Sequence, residues 1–559
     1  MKLKKIVNPL LYIVLFYLIV TFILFPIINT FGTTIQSDSG GISSEQYRIF
    51  FSINTNRVAL KNTFLVGIST VICCMAVGVF MAFFTEYFKI GFQKGINILL
   101  LTPFVLPGVM IVIAFIQLYS DTGIINQFLK ISFDLKQVPI KLSGFKGIIF
   151  VHAFTQYVYF YINTSIALKF LDYSTIESAR GLGATKFQVF KDIIFPHILP
   201  ALLTSGFMTF ATGISSFSAP YLIGGGDRMM STQILQSKMN NQMQMASTQV
   251  MILMIISMIT MLLYGFYSKQ DTSSSYIKNK RVKKVKIENK FLNFLVHFLG
   301  YVIILLIVVP IIGIIILSFV DSSSWMMKIF PDKFGLDNYR RIFLQRRILG
   351  PVKNSLKMSV IAATIATLVA MVSSYLILNT RGIKPKLLNF FILLPMAIPA
   401  STLGVNLITA FNKKRILLLN NSLVGTYSIL PIAYIIATIT IVSRSTYTAF
   451  SNFNREYEFA SRNLGAGRGQ TFKWIFVPIV SSGIISGFSL AFMRSLGEYT
   501  ISALLYGVHN RPVSIAMVNA LHDFDVGISM AYGAIIIFLG MIFLGILMRQ
   551  KHGNGSIVN

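Results

Sequence analysis

Apolar residues in this chain neither alternate nor gather in short core patches; they run on. Leu10 to Ile28, Phe64 to Phe84, Ile96 to Leu118 and Leu292 to Val320 approach or exceed the ~20 residues that a helix needs to cross a hydrocarbon layer. Because the runs are continuous and not of period two, the pattern predicts spanning helices and not barrel strands. About six spans fall in each half, near 9–31, 62–84, 96–118, 147–170, 199–222 and 247–267, then 292–320, 355–378, 388–411, 423–443, 481–506 and 529–548. The first follows Lys2, Lys4 and Lys5 without a small-residue cleavage site before Gly32, so it reads as a retained anchor. The expected fold is an all-α membrane protein with about twelve transmembrane helices.

Polar stretches divide this pattern. Residues 269–290 are strongly basic and read as a cytoplasmic linker, giving a first half at 1–268 and a second at 291–559. If the basic amino terminus is cytoplasmic, alternation puts the linker and the carboxyl terminus on the same side. The loop from Asp321 to Lys353 runs against this order, because it faces outward with Lys328, Lys333, Arg340, Arg341, Arg346 and Arg347.

Two polar inserts repeat 282 residues apart, one from Glu177 through Gly183 to Pro196 and one from Phe459 through Gly465 to Pro478. Lys61-Asn62-Thr63 echoes Lys353-Asn354-Ser355 at a spacing of 292, as Pro103 and Pro107 echo Pro395 and Pro399. The halves are therefore duplicates, and the first has ten extra residues, most simply in the outward loop from Tyr119 to Lys146. An even number of spans makes the repeats parallel about an axis along the membrane normal, with a solute pathway expected between them.

In the first insert, Ser174 to Glu177 reads as a capping box for a helix ended by Gly181 and Gly183, and Thr185 to Gln188 as a second box opening a helix that stops near Pro196. Phe187, Phe190 and Ile194 share one stripe of that second helix. Arg180, Gly183, Ala184, Gln188 and Pro196 correspond to Arg462, Gly465, Ala466, Gln470 and Pro478, and such persistence predicts a docking part and not a passive loop.

Composition narrows the chemistry. With 54% hydrophobic and 12% charged residues, the chain cannot be an ordinary soluble globule. Its net charge of +30 sits mainly in short loops, where it orients spans, so no nucleic acid is implied. No phosphate-cradling G-x-x-x-x-G-K-[ST] loop occurs, the six histidines show no metal-ligand spacing, and adjacent Cys73 and Cys74 suit neither disulfide nor metal.

The insert pattern, Glu-Ala-Ala, three residues, Gly, nine residues, then Ile-x-Leu-Pro, resembles the cytoplasmic signature of permease subunits of binding-protein-dependent ABC importers. Glu177, Ala179, Gly183, Ile193 and Pro196 match it, while Ser178 and Phe195 depart. The resemblance implies a type I ABC importer permease fold with coupling loops at 171–198 and 444–480. It also implies two ATPase subunits that use the ATP, an extracytoplasmic solute-binding protein, and no cofactor or metal bound by this chain. The second copy has Phe459 at the Glu position and Gly467 and Gly469 for Thr185 and Phe187, so weaker docking is expected there. Fused halves resemble the ferric-iron, thiamine and 2-aminoethylphosphonate branch, and the segment Ser216 to Gly226 tilts the expected solute toward iron.

Polar residues inside spans mark candidates for the pathway: Ser215, Ser216 and Ser218, opposite Gly497, Glu498 and Thr500, then Arg494, Asn163 and Asn406. Arg494 and Glu498, four residues apart, are expected on one helix face, either as an internal ion pair or as a gate or solute contact. The rival classes are an ion-coupled secondary transporter and an assembly scaffold.

Overall fold

The computed structural model describes residues 2–36, 41–268, 284, 289–321 and 333–553. Most of the basic linker, and Lys328 of the outward loop, lie outside the described residues. Lys284 is described, and its Nζ donates to the Thr85 carbonyl at 3.2 Å beside the end of the first half's long helix.

The first half runs through α1 (Asn8–Ile35), α2 (Asn54–Glu86), α3 (Gln93–Val105), α4 (Gly108–Tyr119), α5 (Ile124–Ser132), α6 (Gly144–Thr155) and α7 (Val158–Phe170). It continues with α8 (Tyr173–Gly181), α9 (Lys186–Ile214), α10 (Ser218–Ile223), α11 (Met230–Met239) and α12 (Met243–Ser268). The second half repeats the order: α13 (Lys290–Leu317), α14 (Arg346–Asn379), α15 (Ile383–Ala397), α16 (Ala400–Phe411), α17 (Ile429–Ser451), α18 (Glu456–Asn463), α19 (Arg468–Leu496), α20 (Thr500–Leu505), α21 (Val513–His522) and α22 (Val526–Gly553).

Among the described residues ten helices are long and apolar enough to cross a membrane, or eleven if α15 and α16, bent by 109° at Pro399, form one span. The expected twelve is not reached because hydropathy does not see breaks. The run 147–170 is interrupted at Gln156 into α6 and α7, each too short alone. The runs 199–222 and 481–506 end as continuous helices at Ile214 and Leu496, and short α10 and α20 follow.

The duplication is visible in hydrogen bonds. Thr63 Oγ1 accepts the Met230 N–H at 2.9 Å and Ser355 Oγ accepts the Val513 N–H at 2.8 Å, so each takes an unpaired donor at a helix start. Asn62 donates to the Arg228 carbonyl, and Asn354 to those of His509 and Arg511. The first half's additional outward residues hold α5, where buried Asn126 donates to the Tyr119, Ser120 and Ile140 carbonyls and accepts the Ile140 N–H.

The first helix of each half packs on the other half. α1 lies on α14 and α16, with Tyr12 bonded to Thr380 at 2.6 Å and Thr30 to Thr409 at 2.7 Å. α13 lies on α2, α3 and α4, where a Cβ on Gly300 would come within 2.6 Å of the Phe84 ring. Small residues permit such approach where no hydrophobic drive exists between helices in lipid.

Gly78 lets α2 press against the α6–α7 break, since a Cβ there would meet the Tyr157 carbonyl at 2.5 Å and Phe160 Cβ at 2.6 Å. Gly78→Val is expected to cost about 1–3 kcal/mol of overpacking and to lower the thermal midpoint of the detergent-solubilised protein. Gly206→Ala, whose Cβ would find its nearest neighbour at 3.8 Å, is expected to melt like the parent.

Candidate coupling loops and translocation cavity

α8 begins at Asp172, whose side chain accepts the Ser174 N–H at 3.0 Å. The cap is thus Asp172 and not the expected Ser174, two residues further on. The helix ends in a Schellman arrangement: Gly183 N–H donates to the Arg180 carbonyl and Ala184 N–H to that of Ala179, both at 3.0 Å. Gly465 and Ala466 do the same with Arg462 and Ser461. Gly183 (φ +87°) and Gly465 (φ +85°) occupy the left-handed region this motif needs.

The Thr185–Gln188 capping box is present in full, with Thr185 N–H donating to Gln188 Oε1 at 2.8 Å and Gln188 N–H to Thr185 Oγ1 at 3.3 Å. In the second copy Gln470 Oε1 still accepts the Gly467 N–H at 2.8 Å, so half of the box survives the loss of the Thr185 hydroxyl. Glu458 pairs with Arg462 one turn along α18. Buried Ser461 and Thr471 share a hydrogen bond of 2.9 Å at the positions of Ala179 and Val189.

The second helix of each insert does not stop at its proline. It widens into a π-turn, Phe190–Ile194 or Phe472–Phe476, and continues into the membrane as α9 or α19. Phe195 N–H reaches back five residues to Phe190, and Val477 N–H to Phe472, which leaves room for Pro196 and Pro478. Insert helix and spanning helix are therefore one rod. Ile194, expected on the docking stripe, is buried with Ile176 and Val189, while Leu182 (89% exposed) and Phe187 (72%) project outward. Leu464 (88%) and Trp474 (71%) do so in the second copy. Burial pushes the Tyr87 phenol up, opposed by the nearby Arg180 charge, which sets Arg180 beside the end of α2. Glu177 is exposed on the same unit.

At the other end of these rods, between the halves, lies a cavity of about 570 Å³. Ser215, Ser216, Ser218, Arg494, Gly497 and Glu498 line it with Pro103, Pro107, Pro395 and Pro399. The breaks that end α9 and α19 free backbone carbonyls, and both halves recapture them alike. Ser231 donates to the Ser216 carbonyl at 2.6 Å, and Ser514 to that of Glu498 at 2.8 Å. Lining residues Met208, Met261, Ile441 and Leu490 extend from the breaks toward the coupling-loop end. On the opposite side Phe217, Tyr221 and Tyr499 meet across the halves, with Tyr499 ring centroids 5.7 and 6.1 Å from the other two.

Two expectations change here. Arg494 and Glu498 do not share a helix face, because α19 ends at Leu496; Glu498 turns away to accept the Ile501 N–H at 3.1 Å at the start of α20. No ion pair joins them among the described residues. Asn163 and Asn406 lie off the cavity: Asn163 donates to Ser205 at 2.9 Å between α7 and α9, and Asn406 is buried in α16 with neither amide atom partnered among the described residues. His152 went unnoticed in the sequence, although its ring nitrogens bond Thr70 and Ser216, both at 2.9 Å. A lone histidine within an apolar run was the available signal.

Two stretches, 74–270 and 366–550, match the family model described as binding-protein-dependent transport system inner membrane component. The chain belongs to that family. It is a multi-pass inner-membrane permease of a binding-protein-dependent ABC importer, not the ATPase, and its transport class implies ATPase and binding-protein partners. It is 28% identical over 503 residues to the probable ABC transporter permease protein y4fN of Sinorhizobium fredii, covering 89% of this chain and 88% of that one. It is 24% identical over 555 residues to the ferric transport system permease protein FbpB of Actinobacillus pleuropneumoniae (97% and 77%). A putative 2-aminoethylphosphonate transport system permease protein, PhnU of Salmonella typhi, is 27% identical over 221 residues (39% and 76%).

At Gly497 the permease halves approach closely, since a Cβ there would lie 2.0 Å from Pro107 Cγ. Gly497→Leu is expected to force the breaks apart and lower solute uptake by about ten-fold or more, since misplacement of an ångström is costly where geometry is tight. Uptake into cells with matched membrane levels of the variant measures this; parental rates would refute it.

Proposed function

We propose that this permease imports a small solute, ferric iron first among candidates, by alternating access between its halves, with 2-aminoethylphosphonate and thiamine as the alternatives. The observation that carries the reading is the pair of continuous rods, α9 and α19, each running from an exposed coupling head to the rim of one cavity. A displacement at Gly183 or Gly465 is thereby delivered to Ser215 or Gly497. The iron assignment draws on the nearly full-length similarity to ferric permeases.

The ATPases dock on Glu177, Ala179, Arg180, Gly183, Ala184, Gln188 and Pro196, and on Arg462, Gly465, Ala466, Gln470 and Pro478. Amino and carboxyl termini then lie with these loops in the cytoplasm, and the conformation described is open to that side and closed outside by Phe217, Tyr221 and Tyr499. Trp474, which replaces Asp192, and Gly469, which replaces Phe187, make the two heads unequal. A ligand shifts such a cycle only through unequal affinity for its states, so each head must bind its ATPase differently in the two conformations.

Uptake of labelled ferric iron, 2-aminoethylphosphonate and thiamine by cells with and without the chain tests the solute; iron accumulation unaffected by the chain refutes the iron assignment. Gly183→Trp is expected to leave insertion intact and to separate ATP hydrolysis from uptake. Gly183 has no neighbour within 4 Å of an added Cβ, so the defect arises from backbone strain at positive φ and from the blocked docking face. Normal uptake by that variant in reconstituted vesicles would sink the docking role.

A further inference from the structure

We infer that the cavity takes its solute in anionic form, with Arg494 as the cation that meets an oxyanion group. This rests on the reading of the cavity as the pathway. Arg494 lines the cavity and is exposed in it. It makes no hydrogen bond or ion pair among the described residues. A guanidinium stays protonated in any protein setting and offers a planar fork of donors matched to carboxylate, phosphate or sulfate oxygens.

Glu498 lines the same cavity and feels the Arg494 charge, but it does not bond the guanidinium among the described residues. Its Oε1 is committed to the Ile501 N–H, and its carbonyl accepts from both Ser502 and Ser514, at 2.6 and 2.8 Å. One carboxylate oxygen is thus held by the start of the helix it caps. Beside His152 and the Gln156 amide, whose oxygen accepts from Thr212, the remaining polar wall is hydroxyls, among them Ser215, Ser218 and Thr500, which can donate to oxygen. His152, the imidazole in the cavity lining, has both nitrogens engaged by Thr70 and Ser216. Among the described residues no group of three His, Cys, Asp or Glu side chains is placed to hold a metal ion. An iron solute would therefore cross inside an anionic oxygen shell, whereas a free oxyanion would meet Arg494 directly; the shared chemistry is a negatively charged oxygen group.

The test reads cavity charge without needing the solute. In full-length protein in lipid nanodiscs without nucleotide, a Cys73→Ala, Ser215→Cys variant is treated with anionic sulfonatoethyl or cationic trimethylammonioethyl methanethiosulfonate; Cys74 is buried. Focusing of field lines in a low-dielectric cleft alters local ion concentration by tenfold or more. Adding Arg494→Gln is accordingly expected to lower the anionic-to-cationic rate ratio about ten-fold, and Arg494→Lys to restore most of it. An unchanged ratio overturns the inference. Uptake of labelled ferric citrate, sulfate and 2-aminoethylphosphonate separates the sources: Arg494→Gln should reduce whichever the parent imports, and faster ferric uptake in Arg494→Gln would overturn anionic passage. If the parent imports none of them, the substrate reading fails while the reagent ratio still decides the charge.

Discussion

Inside a bilayer a peptide group that leaves its helix has no water to turn to, so irregular backbone survives only where protein or a wet cavity satisfies it. Every mid-membrane interruption described above obeys this constraint at one place. The breaks at Pro107, Gln156, Ser215–Phe217, Pro399 and Gly497–Tyr499 all line the same cavity. Prolines start the separation on one side, and the serines of α11 and α21 recapture the freed carbonyls on the other. The cavity is therefore the price of ending helices in mid-membrane, and Gly497 against Pro107 sets how closely its walls approach. The rods connecting it to the repeated inserts are unbroken because the π-turns carry them past Pro196 and Pro478.

The two halves keep this framework but not its chemistry. His152 corresponds by the 282-residue offset to Tyr434; the first bonds Ser216 and the second Ser502 at 2.7 Å. α4 is nearly all apolar, whereas α16 brings Ser401, Thr402, Asn406 and Thr409 to the equivalent seam against α1 and α12. Thr409 finds Thr30 there, but Asn406 finds no partner among the described residues. A buried amide with both ends unpaired destabilises the conformation that holds it, so this seam is better suited to rearrangement than its apolar twin.

Much of this was legible beforehand. Hydropathy located the helices, the repeat located the duplication and the two helical inserts, and the echo of Asn62-Thr63 in Asn354-Ser355 proved to be a hydrogen-bonding device. What sequence pattern missed follows from what it measures. A running average of hydrophobicity cannot distinguish a helix from two half-helices meeting at Gln156, nor place the end of α19 between Arg494 and Glu498. Proline normally ends a helix, and only the backbone shows that a π-turn spares this one. Burial also reversed Ile194, because helical spacing defines a stripe without saying which side of it is covered.

Fusion of the halves accounts for the lone arginine. In a permease made of two identical chains, a cation at 494 would be matched by one at the position of Thr212, and two like charges would face a low-dielectric cavity across the axis, where repulsion is strong. A single chain escapes that symmetry. Thr212 instead bonds Gln156 at 2.7 Å, leaving Arg494 without a like-charged counterpart at the equivalent position. The same freedom lets the exposed faces of the inserts diverge, Trp474 on one and Phe187 on the other. Duplication retained what the bilayer enforces, the helix breaks and their serine caps, and released what it does not, the charge in the cavity and the exposed face of the inserts.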